Sequence, residues 1–168
     1  MKLPFTAADV RPPRVLAVSS GGGHWAELRR LRPAWDGAVV TYAVTEAGYR
    51  ADLAGDPPGS DGREPRFLRV PDANKSQRLR LAWLALCMAA AVLRVRPDVV
   101  VSTGAAPGYF AVRFGKLLGA RTIWVDSIAN AEEISVSGRL ARRHSDLWLT
   151  QWPHLARQSG AQYCGAVM

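Results

Sequence analysis

The chain has 168 residues, of which 48% are hydrophobic and 21% are charged, a balance that predicts one folded domain and excludes a disordered chain. Its 22 lysines and arginines outnumber its 14 acidic residues, for a net charge of +8, which favours an anionic partner: a phosphate ligand, an anionic membrane surface or a nucleic acid. Cys87 and Cys164 have neither disulfide nor metal-site spacing, so we expect them to be reduced core thiols of a cytoplasmic protein.

The opening of the chain predicts a strand, a tight turn and a helix. Residues 1–13 are expected to be irregular and to lack the apolar core of a secretory signal, and residues 14–168 are expected to form the domain. The apolar run 15–18 leads through two serines to Gly21–Gly23, and a helix is predicted to begin at His24. Backbone without Cβ atoms and unpaired N–H groups at a helix start favour a bound anion such as a diphosphate.

Strand and helix patterns alternate along the whole sequence. Strands are predicted at about 14–19, 39–45, 67–70, 97–102, 122–126, 146–150 and 162–164. Helices are predicted at about 24–32, 79–93 (with Ser76 as the N-cap), 107–118 and 137–144, with a short helix after Pro153. This alternation predicts an α/β fold with a Rossmann-like, mostly parallel sheet and helices on both faces.

Polar or glycine-bearing turns follow five of the predicted strands. These turns are Gly21–Gly23, Thr45–Glu46, Ser102–Pro107, Asp126–Asn130 and Gln151–Trp152. Ligands of open parallel sheets bind outside the carboxyl ends of the strands. We therefore expect one binding site along this edge.

His24 is the candidate catalytic residue at this edge, because imidazole is the side chain best suited to proton transfer near neutral pH. The alternative that His24 only caps the helix or lines the glycine turn stays open. For Asp126, Glu132 and Glu133, a surface or capping role fits as well as catalysis. Core or interface packing is expected of Trp25, Trp124, Trp148 and Trp152.

A dinucleotide-binding site is one alternative that the motifs suggest. The run Gly21–Ala26 matches G-x-G-x-x-A, and Glu46 follows the second predicted strand at the place of the ribose-binding acid. The bulk of His24 and Trp25 inside the fingerprint, and a chain too short for a separate substrate domain, argue against it. The sequence has no Walker loop, metal-ligand cluster, nucleophile elbow or nucleic-acid module, so we expect no cofactor, no metal site and no nucleic-acid partner.

The predicted helix 79–93 is apolar on nearly every face and has basic residues at both ends. Its length of about 22 Å falls short of the ~30 Å hydrocarbon core, so we do not expect it to span a bilayer. Two interpretations stay open: the helix covers the sheet, or it inserts shallowly at an anionic membrane. In the second, the membrane contacts are Leu79, Trp83, Leu84 and Leu86, with Arg78 and Arg80.

Several short motifs occur in the order typical of one family. They are Ser19–His24 (SSGGGH), Pro97–Val100 (PDVV) followed by Ser102–Ala105 (STGA), Val125–Asn130 (VDSIAN), Ser135–Gly138 (SVSG) and Gln151–Pro153 (QWP). With them the chain, from about Val15 to Val167, resembles PssD-type bacterial polysaccharide biosynthesis subunits. That family is similar to the membrane-anchoring subunit of the eukaryotic two-part N-acetylglucosaminyltransferase that extends dolichol-linked GlcNAc. Both resemble the N-terminal half of MurG-type GT-B glycosyltransferases.

The resemblance implies one half of a split glycosyltransferase for exopolysaccharide or capsule assembly. This chain would be the GT-B N-terminal-type domain that binds a polyprenyl-diphosphate-linked saccharide. A small GT-B C-terminal-type catalytic subunit would bind the nucleotide sugar, which is expected to be a UDP-sugar. Neither half is expected to be active alone. Relatives of the eukaryotic type carry an N-terminal membrane helix that this sequence does not show. Peripheral attachment to the cytoplasmic face of the cell membrane is therefore expected to fall to residues 79–93.

The resemblance also implies which residues form the site. His24 would be the base or a diphosphate contact. The acceptor and its diphosphate would be bound by Ser20, Gly21, Gly22, Gly23, Ser102, Thr103, Gly104, Asp126 and Asn130. Two other functions stay open: a stand-alone nucleotide- or dinucleotide-binding protein, and a non-catalytic membrane scaffold for the partner subunit.

Overall fold

A computed structural model describes residues 11–73 and 76–167. Most of the predicted irregular segment 1–13 lies outside these residues, and residues 11–13 have no regular structure. The strands are β1 (Arg14–Ser19), β2 (Val39–Val44), β3 (Arg66–Arg69), β4 (Val99–Ser102), β5 (Arg121–Val125) and β6 (Leu147–Leu149). Within the described residues these strands form one sheet in the order β3-β2-β1-β4-β5-β6, and every neighbouring pair is parallel.

Five α-helices connect or follow these strands in the described part of the chain. They are α1 (Gly23–Arg30), α2 (Arg78–Val95), α3 (Ala105–Leu117), α4 (Val136–Ala141) and α5 (Pro153–Ser159), with 3₁₀ turns at Arg32–Trp35, Ala47–Leu53 and Arg142–His144. Because α1, α3 and α4 follow β1, β4 and β5, their N-termini lie at the carboxyl edge of the sheet. The predicted Rossmann-like fold is therefore confirmed.

Strand β1 supplies both cores of the domain, since successive side chains of a strand point to opposite faces. Val15 and Ala17 pack with Trp25 of α1 on one face. Leu16 and Val18 belong to the other core, with the inward faces of α2, α3, α4 and α5. The sheet thus carries helices on both faces, as the sequence predicts.

The sequence predicted the ends of several elements incorrectly. The N-cap of α2 is Gln77, not Ser76, because the Gln77 carbonyl accepts the first helical hydrogen bond, from the Leu81 N–H at 2.8 Å. Helix α3 begins at Ala105, two residues before Pro107, since proline is tolerated in the first turn.

The chain after α5 also differs from the prediction. The strand expected at 162–164 is only an isolated bridge between Leu149 and Gln162, and the chain then leaves the sheet through Gly165, whose φ is 110°. Cys164 in this irregular segment is exposed, and Cys87 is half-buried. Neither cysteine is therefore the buried core thiol that the sequence suggested.

Asp98 fastens the residues before β1 to the amino edge of the sheet. Its carboxylate accepts two hydrogen bonds from the Arg11 guanidinium, both at 2.7 Å, and one from the Arg14 N–H at 2.8 Å. These hydrogen bonds, that of Arg11 first, hold the pKa of Asp98 below its ordinary value. The resulting stabilisation is fully present above the unfolded-state pKa of about 4, and it is lost as the pH falls through the lower folded-state value.

We expect Asp98→Asn to lower Tm by about 1–3 °C at pH 7, because this ion pair is partly exposed. The difference from the unsubstituted chain should shrink as the pH falls towards 3, where the native carboxylate also becomes protonated. Thermal unfolding followed by circular dichroism across this pH range measures both effects. Asp36→Asn, in an exposed pair with Arg32, is the control, and a Tm difference that stays constant down to pH 3 would contradict the assignment.

Candidate functional site

Two turns meet where the strand order of the sheet reverses, between β1 and β4. A pair of hydrogen bonds joins them: the Thr103 hydroxyl donates to the His24 carbonyl at 2.7 Å, and the His24 Nδ1 lies 2.9 Å from the Thr103 carbonyl oxygen. In open α/β sheets this switch point is where the ligand crevice forms. The structure therefore brings His24, Thr103 and both turns together, as the sequence predicts.

The contact with Thr103 fixes the tautomer of the neutral His24 ring. A carbonyl oxygen can only accept a hydrogen bond, so Nδ1 must carry the hydrogen. The other nitrogen, Nε2, then has a free lone pair in the neutral ring. The side chain is half-buried, so its orientation is held while part of the ring remains accessible. This is the arrangement that a proton acceptor requires.

Gly104 makes room for the imidazole. Its φ of 141° lies in a region that other residues rarely adopt. A Cβ at this position would lie 2.5 Å from His24 Cε1 and 2.7 Å from Nδ1. Both the backbone and the space thus require glycine, and the position of the ring depends on it.

The glycine turn after β1 is held by side chains of the segment after β2. The Gly21 N–H donates to Thr45 Oγ1 at 3.1 Å, and the Gly22 N–H donates to the Tyr49 hydroxyl at 2.9 Å. Gly22 has φ 66° and ψ −134°, which only glycine adopts readily. The backbone N–H groups available to a ligand are therefore those of the first turn of α1, which have no intrahelical acceptor.

A cleft of about 750 Å³ lies beside this turn. Three helix N-termini border it: the turn of Gly21 and Gly22 before α1, Ala105 and Ala106 of α3, and Val136 and Ser137 of α4. The first turns of α1 and α3 have N–H groups without an intrahelical acceptor and the positive ends of two helix dipoles. The six-residue α4 is already capped by Ser135 and has the Asp126 carboxylate at its start, so the backbone that favours an anion here belongs to α1 and α3.

The charged side chains in the cleft are acidic. Among the described residues that line it there is no lysine or arginine, whereas Glu46 and Asp72 both contribute. The Glu46 carboxylate lies against the turn, since a Cβ on Gly21 would come within 1.9 Å of its Oε1. A bound anion must therefore lie away from Glu46, and the two carboxylates can accept hydrogen bonds from hydroxyl groups.

Some residues predicted for the site lie beneath it. Asp126 is 1% exposed, and its oxygens accept hydrogen bonds from Trp124 Nε1 and from the N–H and hydroxyl of Ser135. The proposed acceptor contact of Asp126 is therefore wrong: the carboxylate holds the start of α4 in place. Asn130, which is half-buried, donates to Asp126 at 3.3 Å.

Ser102 and Thr103 likewise have no exposed surface. Ser102 Oγ accepts from the Gly104 N–H at 3.1 Å. The expectation that these two side chains contact the ligand directly was wrong. They shape the turn after β4. Ser20, Gly21 and Gly22 line the cleft, whereas Gly23, His24 and Gly104 lie next to it in the chain and are not among its described lining residues.

Glu27 is a buried acid that the sequence analysis missed. It is 5% exposed, and it accepts hydrogen bonds from Ser127 Oγ at 2.7 Å, the Ile128 N–H at 3.2 Å and Gln151 Nε2 at 3.0 Å. One carboxylate on α1 thus ties together the turns after β5 and β6. The sequence held one signal of this inward position, which is the spacing along the helix. Glu27 lies three residues after His24 and next to Leu28, which faces inward.

We expect Glu27→Ala to lower the free energy of unfolding by about 2–4 kcal/mol, because two buried donors and one partly buried donor would lose this acceptor. Urea unfolding measures this loss. Glu133→Ala is the matched control: its side chain is 78% exposed in an ion pair with Arg139, so about 0–1 kcal/mol is expected. Equal stability of the two variants would contradict the role given to Glu27.

Helix α2 presents an exposed apolar stripe on the side away from the sheet. Leu79, Trp83 and Leu86 are 88%, 60% and 64% exposed, and Arg78 and Arg80 beside them are also exposed. Leu84 has no exposed surface, because it points into the core, so its predicted membrane contact is wrong. Within residues 11–73 and 76–167, none of the helices combines the length and apolarity needed to cross a bilayer.

Comparison with known proteins gives one family and one fold. Residues 70–167 match the family described as "Oligosaccharide biosynthesis protein Alg14 like". The chain is 32% identical to the UDP-N-acetylglucosamine transferase subunit ALG14 of Eremothecium gossypii, over 94% of this chain and 81% of that protein. It is 27% identical to the subunit of the same name from Mus musculus, over 84% and 76%.

Solved structures with the same fold include glycosyltransferase and epimerase chains. The MurG of Acinetobacter baumannii superposes with a TM-score of 0.67 at 14% identity, over 94% of this chain and 46% of its own. The UDP-N-acetylglucosamine 2-epimerase of Rickettsia bellii gives a TM-score of 0.59 at 13% identity, over 90% of this chain and 43% of its own. The chain thus spans about half of each of these structures, and at such identities the likeness shows the fold alone.

Proposed function

Because the chain belongs to the Alg14-like family of oligosaccharide biosynthesis proteins, we propose that it is the acceptor-binding subunit of a two-part glycosyltransferase. The donor is a UDP-sugar, with UDP-N-acetylglucosamine the first to test, since the relatives are named as subunits of its transferase. The acceptor is a polyprenyl-diphosphate-linked saccharide. The resemblance to PssD-type subunits supports a place in exopolysaccharide or capsule assembly.

The observation that carries the proposal is that the starts of α1 and α3 both border the cleft beside Gly21 and Gly22. A diphosphate bound there would receive backbone N–H groups and two favourable helix dipoles. Glu46 and Asp72 would face the adjoining sugar, whose hydroxyl groups donate to carboxylates. A cleft with backbone N–H groups for a diphosphate and carboxylates for sugar hydroxyl groups suits a lipid-linked saccharide better than a dinucleotide. Family membership also favours the transferase over a stand-alone dinucleotide-binding protein.

His24 is the proposed base. Glycosyl transfer forms a bond between the acceptor oxygen and the anomeric carbon of the donor sugar, and it breaks the bond between that carbon and the UDP oxygen. The acceptor hydroxyl loses its proton in this step, and the free lone pair of His24 Nε2 is suited to receive it. The departing UDP must be stabilised by the partner subunit, which we propose to be a small GT-B C-terminal-type protein.

Attachment to an anionic membrane surface is proposed through the stripe on α2. We expect Trp83→Glu or Leu86→Glu to weaken binding to phosphatidylglycerol-containing vesicles by about tenfold or more, since each substitution removes a large apolar side chain from the bilayer interface. Vesicle sedimentation measures the partition. Tyr163→Glu, at an exposed position outside the stripe, should bind like the unsubstituted chain, and undiminished binding of both stripe variants would contradict the assignment.

Reconstitution tests the proposed function. The chain, its partner subunit and their mixture are each incubated with labelled UDP-N-acetylglucosamine and a short-chain polyprenyl-diphosphate GlcNAc. Label should enter the lipid fraction only in the mixture. The His24→Ala variant tests the alternative. If it recruits the partner to the membrane as well as the unsubstituted chain does, and sugar transfer is not reduced, the result would favour a non-catalytic scaffold instead.

A further inference from the structure

Strand β3 is an edge of the sheet, and a cavity of about 720 Å³ lies beside it. Within the described residues β3 pairs with β2 alone. The cavity walls come from both faces of the sheet: Leu53 and Phe67 belong with the core on the α1 side, whereas Leu68 and Val95 pack against the other core. Because β2 occupies one side of β3, the cavity lies at the free side of the strand.

The backbone of β3 directs hydrogen-bonding groups towards this free side. In a parallel pair, alternate residues of a strand point their N–H and C=O groups at the same neighbour. The Val70 N–H donates to the Val44 carbonyl at 2.9 Å, so Leu68, two residues earlier, also faces β2. Phe67 and Arg69 therefore direct their backbone groups away from the sheet. A row of donors and acceptors at such an edge is complementary to another extended backbone.

The side chains around this edge are basic. Arg50, Arg66 and Arg94 line the cavity, and all three are exposed. None of the three forms an ion pair with any residue in the described part of the chain, and Glu64 is the one acid among the described lining residues. Like charges placed opposite each other destabilise a pair of strands. The arginines therefore disfavour a second copy of this edge and favour an acidic strand.

We propose that the free edge of β3 binds an extended acidic segment of a partner protein, which adds a further strand to the sheet. Backbone hydrogen bonds to Phe67 and Arg69 would supply affinity, and carboxylates facing Arg66 and Arg94 would supply selectivity. Arg66 lies two residues before Leu68, so it is on the face of β3 that α2 covers, and Arg94 belongs to α2. Acids at alternate positions of the segment would thus share a face with both arginines.

This docking site is separate from the cleft beside the glycine turn. Among the described residues, the two cavities have no lining residue in common. The inference therefore goes beyond the proposed transferase function and does not rest on it. Loss of acceptor binding would leave it standing, and its own failure would leave the transferase proposal standing.

Fluorescence anisotropy of the full chain with a labelled hexapeptide of alternating valine and glutamate tests the proposal. This peptide should bind about tenfold or more tightly than a lysine peptide of the same pattern, and than the glutamate peptide with every backbone nitrogen methylated. Arg66→Glu and Arg94→Glu should each weaken binding about fivefold or more. Arg157→Glu, at an exposed position of α5 outside the cavity, is the control and should stay within about twofold.

Two substitutions of Arg69 separate strand addition from attraction between charges. Arg69→Pro removes an outward N–H donor and keeps the pairing with β2, whereas Arg69→Ala removes the same charge and keeps the donor. The proline variant should bind the glutamate peptide about fivefold or more weakly than the alanine variant. Should Arg69→Pro fold poorly, the methylated peptide makes the same comparison.

Three results would overturn the proposal. Equal binding of the methylated and unmethylated peptides would show that charge alone holds the segment. Self-association of the chain that Arg69→Pro abolishes, without peptide binding, would make a second copy the occupant. No binding of the glutamate peptide at about 1 mM would show that the arginines only keep the edge unpaired.

Discussion

Replacing His24 with alanine is expected to lower the turnover of the reconstituted transferase by about 10²–10⁴-fold, the range typical of a lost general base. The reason is the geometry of the ring, whose Nδ1 is committed to the Thr103 carbonyl at 2.9 Å while Nε2 keeps its lone pair. Substrate affinity and association with the partner should change far less, because the backbone N–H groups of the turn are retained. Steady-state kinetics on the purified complex measures both.

His144→Ala is the matched control for this substitution. His144 is also half-buried, but it lies in the 3₁₀ turn before β6, at the opposite edge of the sheet. Its ring lies 6.2 Å from that of Tyr109 in the cleft wall, but no hydrogen bond or ring contact joins it to His24 or the glycine turn in the described residues, so its removal should leave turnover within about twofold. Full turnover by His24→Ala would show that the ring is only a structural contact between the two turns.

Gly104→Ala is expected to reduce turnover by about 10²-fold or more and the free energy of unfolding by about 2–4 kcal/mol. Two effects add. The added methyl group would lie 2.5 Å from His24 Cε1, so the ring must move away from the Thr103 carbonyl. The backbone at φ 141° is also strained for any residue with a Cβ.

Gly119→Ala separates these two effects. Gly119 also has a positive φ, +82°, but a Cβ there meets nothing within 4 Å. A backbone penalty of about 1 kcal/mol and unchanged turnover are expected for this variant. Urea unfolding and kinetics on both variants give the comparison. Similar turnover of the two alanine variants at a temperature where both are folded would contradict the account of how His24 is positioned.

The sequence predicted the fold and the edge that carries the site because both depend on local patterns. The β1 run and the three glycines after it define a strand, a turn and a helix start within ten residues. The order of the strands was not predicted, because right-handed crossovers restrict the possible topologies without fixing which parallel strands are neighbours. The second turn, with Gly104, could be recognised by the same pattern of a buried strand followed by small residues.

The parts that the sequence did not predict depend on tertiary contacts between distant residues. Asp126 and Glu27 are acids like any others in sequence, and only the donors that surround them show that they are buried structural acceptors. Leu84 differs from Leu86 only in the direction it points from α2, which the packing of that helix decides. Because α2 is apolar on nearly every face, its periodicity could not separate the buried side from the exposed one.

The most direct test of the central claim is the equilibrium binding of a short-chain polyprenyl-diphosphate GlcNAc to this chain in the absence of its partner. The account predicts that the chain alone binds this acceptor, that inorganic diphosphate competes for the site, and that the partner alone does not bind it. Gly104→Ala should weaken this binding less than it weakens turnover, because the helix N-termini remain. Acceptor binding by the partner alone, with none by this chain, would contradict the account.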